Sequence, residues 1–437
     1  MADDRDRHAA ERLTIDRLGH EGDGIAATAD GSPVFVPYAA PGDVVRAIVH
    51  GSQGTIVEII SASDTRTAAI CRHFGTCGGC AMQHIVPAAY TAWKTAIVSG
   101  ALAQHGLTPA IAPMVTAPIG SRRRAVLGAK RGPHGIIVGF HERREHRIFD
   151  VHECPVLRPA LVEKLAALRD LADVLLPRFP GRSEAKTGDG LRFIATETDN
   201  GIDIVVEGGG TAREPETREK IALIARNAQL LRVSLDRDPL YVAAEPTIRF
   251  GTADIAPPPG VFLQAVPEIE RAMAACIVDA LTIKRGKFKP AVKRVVDLYC
   301  GVGTFTFPMA VIADVLAVDS DKRAIAALEA AYRRAQGLKP VSTLARDLFR
   351  DPLSTRELDA FDAIVFDPPR AGAAAQAERI AKSKARTVIA VSCAPGTLAR
   401  DLATLTGGGY TIESVTPFDQ FLFTPHVEVV AILRRLA

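Results

Sequence analysis

The sequence predicts an α/β protein whose C-terminal part is a doubly wound, Rossmann-like domain. From about Val261 onward, strand-like runs alternate with helical segments, as in a mostly parallel sheet covered by helices. Five short β segments separated by glycine turns fill residues 13–60 and predict a small N-terminal β-barrel. Helical and strand patterns are mixed between these parts, which predicts an α+β middle domain. The consecutive prolines at 257–259 mark its end, because they interrupt regular structure.

The strand candidates of the C-terminal domain are short, largely apolar runs. They span residues 294–299, 314–319, 342–347, 361–367, 386–392, 410–415 and 426–433. Ligands of doubly wound domains bind beyond the carboxyl ends of the parallel strands. Side chains at those ends are therefore the candidates for a functional site.

The composition is that of a globular protein. Of 437 residues, 47% are hydrophobic and 24% are charged. The first residues are charged, unlike a signal peptide, and no apolar run reaches the ~18 residues of a membrane span. We expect a cytoplasmic monomer with no membrane partner. In that reducing compartment, cysteines are expected to bind metal or act chemically rather than to form disulfides.

Positive charge is concentrated in one segment. Between Ser121 and Arg147 the chain has eight basic residues and two acidic ones, although its net charge is only +3. Such a run is most often a solvated face, so alone it is weak evidence for nucleic-acid binding. The basic residues are Arg122, Arg123, Arg124, Lys130, Arg131, Arg143, Arg144 and Arg147.

The run VVDLYCGVGTF carries a predicted strand into a glycine loop that opens a helix. Gly301 and Gly303 let the backbone approach a ligand closely. Asp319 ends the next strand, where an acid can bind the hydroxyls of an adenosine ribose. The loop lacks the third glycine of the dinucleotide pattern, which favours S-adenosylmethionine over a dinucleotide. Asp347, ending the third predicted strand, is placed to meet the adenine or, alternatively, to cap a helix.

Three chemically active side chains are predicted to meet at the carboxyl edge of the sheet. Asp367 ends the fourth strand, Cys393 ends the fifth, and Glu428 lies at the start of the last. A cysteine just before a helix N-terminus feels the positive end of the helix, which favours the thiolate. The alternative is a buried structural cysteine, which we expect for Cys276 and Cys300.

Five motifs give the chain a family resemblance. SCAPGTLARD resembles the SCNP-x-TLARD signature of the RNA (uracil-5-)-methyltransferase family, and DPPRAG, DLYCGVGTF, VFLQ and D-x-F…T-x-HVE follow the family's order. The resemblance covers nearly the whole chain and implies S-adenosylmethionine-dependent methylation of C5 of a uridine. It implies that Cys393 attacks C6 and that Glu428 removes the C5 proton. Contacts to the cofactor or the flipped base are implied for Gln264, Tyr299, Asp319 and Asp367, and Asp367 could instead accept the uracil N3–H.

The sequence departs from the family pattern without losing a reacting group. Ala394 stands in place of asparagine after the cysteine, Thr304 replaces the asparagine of GNF, and Asp319 is one methylene shorter than the usual glutamate. Leu422 and Phe423 replace Pro-His before Thr424. We expect these changes to alter loop geometry and cofactor affinity rather than the type of reaction.

Four cysteines form a second candidate site. Cys71, Cys77 and Cys80 are spaced C-x5-C-x2-C, and Cys154 follows much later. Three clustered thiols with a distant fourth are typical of a metal site, and the residues alone leave zinc and an iron–sulfur cluster open. The resemblance favours a [4Fe–4S] cluster, because rRNA-modifying members carry these cysteines before an x-Q-H tail, here CAMQH.

The N-terminal β segments, with HEGDGIA and VFVPYAAPGD, resemble the TRAM domain, an OB-like RNA-binding barrel. With such a neighbour, the basic segment becomes a predicted RNA-contacting surface. We predict a barrel over residues 10–65, a middle domain with the cysteines and the basic segment over 66–258, and a methyltransferase domain over 259–437. The target uridine would leave its stack to reach Cys393.

The predicted substrate is 23S rRNA, because family members that act on tRNA usually lack the barrel and the cluster cysteines. The alternatives are the same chemistry on tRNA, an m5C methyltransferase, and a non-catalytic RNA-binding or assembly factor. DPPR carries no cysteine beside its prolines, which argues against m5C chemistry. The presence of Cys393 and Glu428 argues against a factor that has lost catalysis.

Overall fold

The computed structural model describes residues 10–176, 190–208, 214–282 and 292–435. The chain divides into two compact units. The first comprises residues 1–97, 141–147 and 421–426. The second comprises residues 98–140, 148–420 and 427–437.

The first unit is built on a six-stranded sheet. Apolar side chains alternate along the strands and meet in a core that includes Leu13, Val34, Val36 and Val45. The strands are β1 (Glu11–Thr14), β2 (Arg17–Leu18), β3 (Gly24–Ala27), β4 (Pro33–Val36), β5 (Val44–His50) and β6 (Gln53–Ser61), in the sheet order β1-β5-β6-β4-β3-β2. The predicted N-terminal β domain is confirmed, with one strand more than the five segments recognised in the sequence.

A helix and a distant segment complete the first unit. The helix α1 (Pro87–Ala103) begins here, and Trp93 Nε1 donates to the carbonyl of Gly19 at 2.9 Å. The Lys94 side chain is fully buried, and its Nζ donates to the carbonyls of Phe421 (3.0 Å) and His426 (2.8 Å). A buried ammonium needs such partners, so Lys94 ties the segment 421–426 into this unit.

The second unit contains a mixed region and a larger C-terminal sheet. The elements of the mixed region are β7 (Val115–Thr116), β8 (Arg124–Gly132), β9 (Gly135–His141), β10 (Ile148–Asp150), α2 (Pro159–Val162), α3 (Leu165–Leu175), β11 (Leu191–Thr198), β12 (Gly201–Glu207), α4 (Pro215–Asn227), β13 (Leu230–Leu235), β14 (Asp238–Val242), β15 (Ile248–Phe250) and β16 (Ala253–Ile255). One sheet has the order β10-β9-β8-β11-β12-β13-β14, and β15 pairs with β16. The expected α+β character is confirmed.

The C-terminal sheet is doubly wound, as predicted. Its elements are α5 (Pro267–Thr282), β17 (Arg294–Leu298), α6 (Thr306–Ala310), β18 (Asp314–Asp319), α7 (Lys322–Arg334), β19 (Val341–Ala345), α8 (Thr355–Leu358), β20 (Ala363–Phe366), α9 (Ala374–Ala381), β21 (Thr387–Ser392), α10 (Pro395–Gly407), β22 (Tyr410–Asp419) and β23 (Glu428–Arg435). The sheet order is β19-β18-β17-β20-β21-β23-β22-β7. The strands β17 to β21 are parallel, and β23 runs antiparallel to both of its neighbours.

The middle strands of this sheet are covered on both faces. Every residue of β20 and β21 is buried, which explains why both read as continuous apolar runs rather than alternating ones. Among the described residues, no helix has the length and apolar character needed to cross a lipid bilayer.

The antiparallel β23 brings its first residue to the carboxyl edge of the parallel strands. Ser392, the last residue of β21, is paired with Val429, the second residue of β23. Glu428 therefore begins its strand where β20 and β21 end. His426, which the sequence grouped with this strand, belongs to the first unit.

Candidate active site

The loop after β17 has the backbone geometry that its glycines predict. Gly301 and Gly303 have φ angles of 53° and 96°, in the left-handed region that favours glycine. A Cβ on Gly303 would lie 2.7 Å from the Phe307 ring, whereas no described atom lies within 4 Å of one on Gly301. Gly303 therefore permits close packing against α6, and the Gly301 backbone borders open space that a ligand can occupy.

Asp319, the last residue of β18, is held by this loop. Its Oδ2 accepts from the backbone N–H of Gly301 at 2.9 Å, and its Oδ1 accepts from that of Asp321 at 2.8 Å. Each carboxylate oxygen retains a further lone pair. A partly exposed glycine backbone beside an oriented acid fits the adenosine part of S-adenosylmethionine.

The turn after β19 places the aromatic ring of Phe349 beside Tyr299, which lies just before the glycine loop. Asp347 lies two residues beyond the end of β19 at Ala345, so the expectation that it ends the strand is wrong. Its Oδ1 accepts from the backbone N–H of Phe349 (3.0 Å) and of Arg350 (3.3 Å), and it therefore caps a turn. The Phe349 ring is 49% exposed and lies 5.6 Å from the ring of Tyr299. Phe349 is a candidate adenine contact that the sequence analysis missed.

The three side chains expected to do chemistry lie at adjacent strand ends. Asp367 directly follows β20, Cys393 directly follows β21, and Glu428 begins β23. The Glu428 side chain is 2% exposed, while Cys393 and Asp367 are partly buried. The Cys393 thiol is close enough to both carboxyl groups for their charges to act on it. The structure thus places these three residues at neighbouring strand ends.

Two buried glutamine amides connect the acids. Gln264 Nε2 donates to Asp367 Oδ2 at 3.2 Å. Gln420 Nε2 donates to Gln264 Oε1 at 2.7 Å and to Glu428 Oε2 at 2.8 Å, and its Oε1 accepts from the backbone N–H of Ala265 at 2.9 Å. The sequence singled out Gln264 but not Gln420, which is the variable middle residue of the D-x-F motif.

Both carboxyl groups are shifted toward the protonated form. Burial raises the pKa of Glu428 to about 7, against the opposing hydrogen bond from Gln420 and charge of Arg370. Burial and the neighbouring charges of Glu428 and Asp297 raise the pKa of Asp367 well above its usual value. Two buried acids that act on each other do not both ionise readily, so each is easier to protonate than a free carboxyl group.

The thiol of Cys393 is also shifted toward its protonated form. Burial, together with the charges of Glu428 and Asp367, raises the pKa of Cys393 to about 11. The expectation that the N-terminus of α10 favours the thiolate is therefore wrong for the resting protein, because the two acids and desolvation outweigh it. Arg370, the arginine of DPPRAG, opposes them through its charge and a hydrogen bond to Cys393. Arg370 was not singled out in the sequence, although its motif was.

The basic segment is not one continuous RNA-contacting surface. Arg123 is 3% exposed, its Nη2 lies 2.6 Å from Glu270 Oε2, and its Nε donates to the carbonyl of Gln264 at 3.1 Å. The prediction that Arg123 contacts RNA is wrong, because this side chain is buried and forms a salt bridge with Glu270.

Other arginines of the segment have different surroundings. Arg143 and Arg144 belong to the first unit and form salt bridges of 2.8 and 2.5 Å with the buried carboxylate of Asp23. The Arg124 guanidinium lies 5.9 Å from the centre of the Phe262 ring, which is 65% exposed. An exposed aromatic ring beside a guanidinium, two residues from Gln264, is suited to stacking on a nucleic-acid base.

The cysteines are thiols rather than disulfides. Cys71, Cys77 and Cys80 are partly exposed and belong to the first unit, whereas Cys154 belongs to the second. Within the described residues, no three Cys, His, Asp or Glu side chains form a group that could hold a metal ion. The cluster therefore stays a prediction from the sequence alone. Cys300 is buried, as expected for a structural cysteine, while Cys276 on α5 is partly exposed.

Comparisons with known proteins show which family the chain resembles. The family described as tRNA (Uracil-5-)-methyltransferase matches residues 216–436, and the TRAM domain matches residues 9–56. An RNA methyltransferase of Caulobacter vibrioides is 44% identical over 426 residues, covering 97% of this chain and 99% of the relative. A 23S rRNA (uracil(1939)-C(5))-methyltransferase of Halomonas elongata is 32% identical over 450 residues, covering 96% of this chain and 89% of the relative.

A solved structure has the same fold. It is the tRNA (uracil-54, C5)-methyltransferase of Pyrococcus abyssi in complex with S-adenosyl-L-homocysteine, which is 23% identical with a TM-score of 0.71. The likeness covers 97% of this chain and 99% of that one. Together with the TRAM match, it confirms the predicted architecture of an N-terminal OB-like part followed by a doubly wound domain.

Proposed function

The chain belongs to the tRNA (Uracil-5-)-methyltransferase family, and on that premise we propose that it methylates C5 of a uridine in RNA with S-adenosylmethionine as methyl donor. Cys393 is the nucleophile and Glu428 is the base. The observation that carries the proposal is the meeting of Cys393, Asp367 and Glu428 at the carboxyl edge of the sheet. The open loop at Gly301 follows β17, the strand next to β20 in that sheet.

The chemistry needs both a nucleophile and a base. C5 of uracil is too weak a nucleophile to accept a methyl group unaided, and a bond from Cys393 Sγ to C6 makes it electron-rich. S-adenosylmethionine supplies the electrophilic methyl group. C5 then carries the methyl group and its original proton, and Glu428 takes that proton. The electrons of the C–H bond re-form the C5–C6 double bond as the C6–Sγ bond breaks and the thiolate leaves.

The protonation states of Cys393 and Glu428 in the resting protein determine which proton transfers the reaction requires. Because burial raises the pKa of Cys393 to about 11, the thiol must lose its proton to solvent before it attacks, which leaves Glu428 free to take the C5 proton later. Asp367 and Glu428 are the carboxyl groups that act on it, and Arg370 stabilises the resulting thiolate through its charge and hydrogen bond. Glu428 must then be ionised when the C5 proton is removed.

We assign the remaining predicted site residues to binding. Tyr299, Gly301, Asp319 and Asp347 surround the adenosine part of the donor, and Asp319 binds the ribose hydroxyls. Gln264 and Asp367 lie between the donor and the uracil. Phe262 stacks on a base of the RNA strand from which the uridine has been flipped, since a base inside a stack cannot reach a side chain at a strand end.

The substrate we propose is 23S rRNA. The support is the full-length resemblance to the Halomonas elongata enzyme at 32% identity and the presence of the TRAM domain. The alternative is tRNA, on which the Pyrococcus abyssi protein acts. The division into residues 10–65, 66–258 and 259–437 is part of this proposal, with the first segment and the basic residues near Phe262 contacting RNA.

Methylation of defined RNAs tests this function. Purified protein is incubated with S-adenosylmethionine and either 23S rRNA fragments or bulk tRNA, and 5-methyluridine is measured by mass spectrometry of nucleosides. Wild type and Cys276→Ala should methylate the rRNA fragments, whereas Cys393→Ala should not. Preferential methylation of tRNA would replace the substrate. Binding of RNA without any methylated product would favour the non-catalytic RNA-binding factor.

A further inference from the structure

We propose that Gln420 is a positioning residue that holds Glu428 in the ionised form as the base of the reaction. This inference rests on the proposed function, because it assumes that Glu428 removes the C5 proton. It concerns a side chain that never reaches the reacting atoms itself and acts only through Glu428.

The orientation of the Gln420 amide is fixed by its surroundings. Its Oε1 accepts from the backbone N–H of Ala265 at 2.9 Å, and a backbone N–H can only donate. The Nε2 group must therefore point the other way, where it donates to Gln264 Oε1 at 2.7 Å and Glu428 Oε2 at 2.8 Å. Both amide hydrogens and the carbonyl oxygen are used, so a flipped amide would lose all three bonds.

The network is also anchored on both sides. Gln420 is 1% exposed and directly follows the last residue of β22. Gln420 contacts residues 264–265, and Arg123 anchors this segment. The backbone N–H of Arg123 donates to the Ala265 carbonyl (2.9 Å), and its Nε donates to the Gln264 carbonyl (3.1 Å). Because hydrogen bonds and burial anchor both sides of the contact, the donor is oriented toward the carboxylate before the reaction begins.

The two acids accept hydrogen bonds of different length. Glu428 accepts from Gln420 at 2.8 Å, whereas Asp367 accepts from Gln264 at the longer distance of 3.2 Å. A hydrogen bond donated to a carboxylate favours its ionised form, so the shorter bond favours the charge on Glu428. Asp367 is correspondingly the acid of the pair that is protonated more readily. This agrees with the pKa of Asp367 being raised well above its usual value.

Other charged and titratable groups act on the same pair. Arg370 favours the ionised form of Glu428, Asp297 disfavours that of Asp367, and Cys393 faces both acids. These groups are unchanged when Gln420 is replaced. The loss of one donor should therefore raise the pKa of Glu428 and move the pH dependence of proton removal upward.

The substitution Gln420→Met tests this role, because methionine has a similar length but cannot donate. Two steps are measured separately: formation of a methylated adduct with RNA carrying 5-fluorouridine, and release of tritium from [5-³H]uridine RNA. Adduct formation should stay near the wild-type rate. Tritium release should fall about 10- to 100-fold, the effect of losing a hydrogen bond to a charged group. The half-maximal pH of tritium release should rise, so that alkaline pH restores part of the rate.

Two further variants separate an effect on the positioning of Glu428 from an effect on the stability of the protein. Gln376→Met removes another fully buried glutamine, which bonds to the backbone N–H (2.9 Å) and carbonyl (3.1 Å) of Leu353. It should lower the melting temperature without moving the pH profile. Gln420→Asn keeps the amide but shortens its reach, and it should give a smaller upward shift than Gln420→Met.

The outcomes distinguish this inference from the function on which it rests. An unchanged pH profile and rate of tritium release in Gln420→Met would overturn the positioning role. Equal loss of adduct formation and tritium release would also overturn it, because Gln420 would then support the whole site rather than Glu428. Failure of the wild type to form the adduct at all would refute the proposed chemistry instead.

Discussion

Arg123 Nη2 lies 2.6 Å from Glu270 Oε2, and both side chains are buried. The pair links the residue before β8 to α5, and Arg123 also donates to the carbonyl of Gln264. Removing one member of a buried pair leaves the other charge uncompensated, which costs about 3–5 kcal/mol.

Arg123→Ala should therefore destabilise the protein by about 3–5 kcal/mol while affecting RNA binding only through folding. Thermal unfolding measures the first effect, and the salt dependence of RNA binding measures the second. The matched control is Arg192→Ala, which breaks an exposed arginine–glutamate pair with Glu207 and should cost about 1 kcal/mol or less. A stable Arg123→Ala protein with a reduced salt slope would restore the RNA-contact role.

Arg370→Gln should make Cys393 less reactive. The charge and hydrogen bond of Arg370 lower the pKa of this thiol, so their loss raises the pKa above about 11 and leaves less thiolate at any given pH. Alkylation of Cys393 by iodoacetamide, followed by peptide mass spectrometry, should slow by about tenfold for each unit of pKa change. Arg379→Gln on the exposed side of α9 is the control. Equal alkylation of both variants at every pH would remove Arg370 from this role.

Phe262 and Phe349 should affect different ligands. Phe262→Ala should weaken RNA binding by about 10- to 100-fold, since stacking on one base contributes about 1–3 kcal/mol. Phe349→Ala should instead weaken binding of S-adenosyl-L-homocysteine and leave RNA affinity unchanged. Fluorescence anisotropy with RNA and calorimetry with the cofactor product measure the two affinities. Loss of both affinities in either variant would mean that the ring supports the fold rather than one ligand.

Local sequence patterns were sufficient to predict the architecture of the C-terminal domain. β18 occupies Asp314–Asp319 as predicted, because its apolar run is bounded by charged residues. β22 continues to Asp419 rather than ending at 415. Its later residues, including Pro417, lack a clear apolar pattern and are held as a strand by pairing with β23.

Contacts between residues far apart in the chain were not predictable from local patterns. Gln420 meets Gln264 across 156 residues, and Arg123 meets Glu270 across 147. The residues that flank these four side chains in the sequence give no indication of the contacts. The direction of the pKa shift of Cys393 was mispredicted for the same reason, since burial and the charges of acids on other strands raise this pKa.

The cysteine spacing makes a prediction that metal analysis can check. Protein purified without oxygen should contain about four irons per chain if Cys71, Cys77, Cys80 and Cys154 hold a [4Fe–4S] cluster. Cys154→Ala should lose that iron, while Cys276→Ala should retain it. Stoichiometric zinc would indicate a structural zinc site. Protein that contains neither metal would agree with the absence of a metal-binding group in the described residues and would end the hypothesis.

The most direct test of covalent catalysis is the mass of the protein after reaction with RNA carrying 5-fluorouridine and S-adenosylmethionine. Fluorine cannot leave C5 as a proton, so Glu428 cannot complete the reaction and the Cys393–C6 bond should persist. Wild type should form a denaturation-resistant adduct, digestion should locate the methylated nucleotide on Cys393, and Cys276→Ala should behave identically. An adduct that persists in Cys393→Ala, or a wild type that methylates uridine but forms none, would contradict Cys393 as the nucleophile.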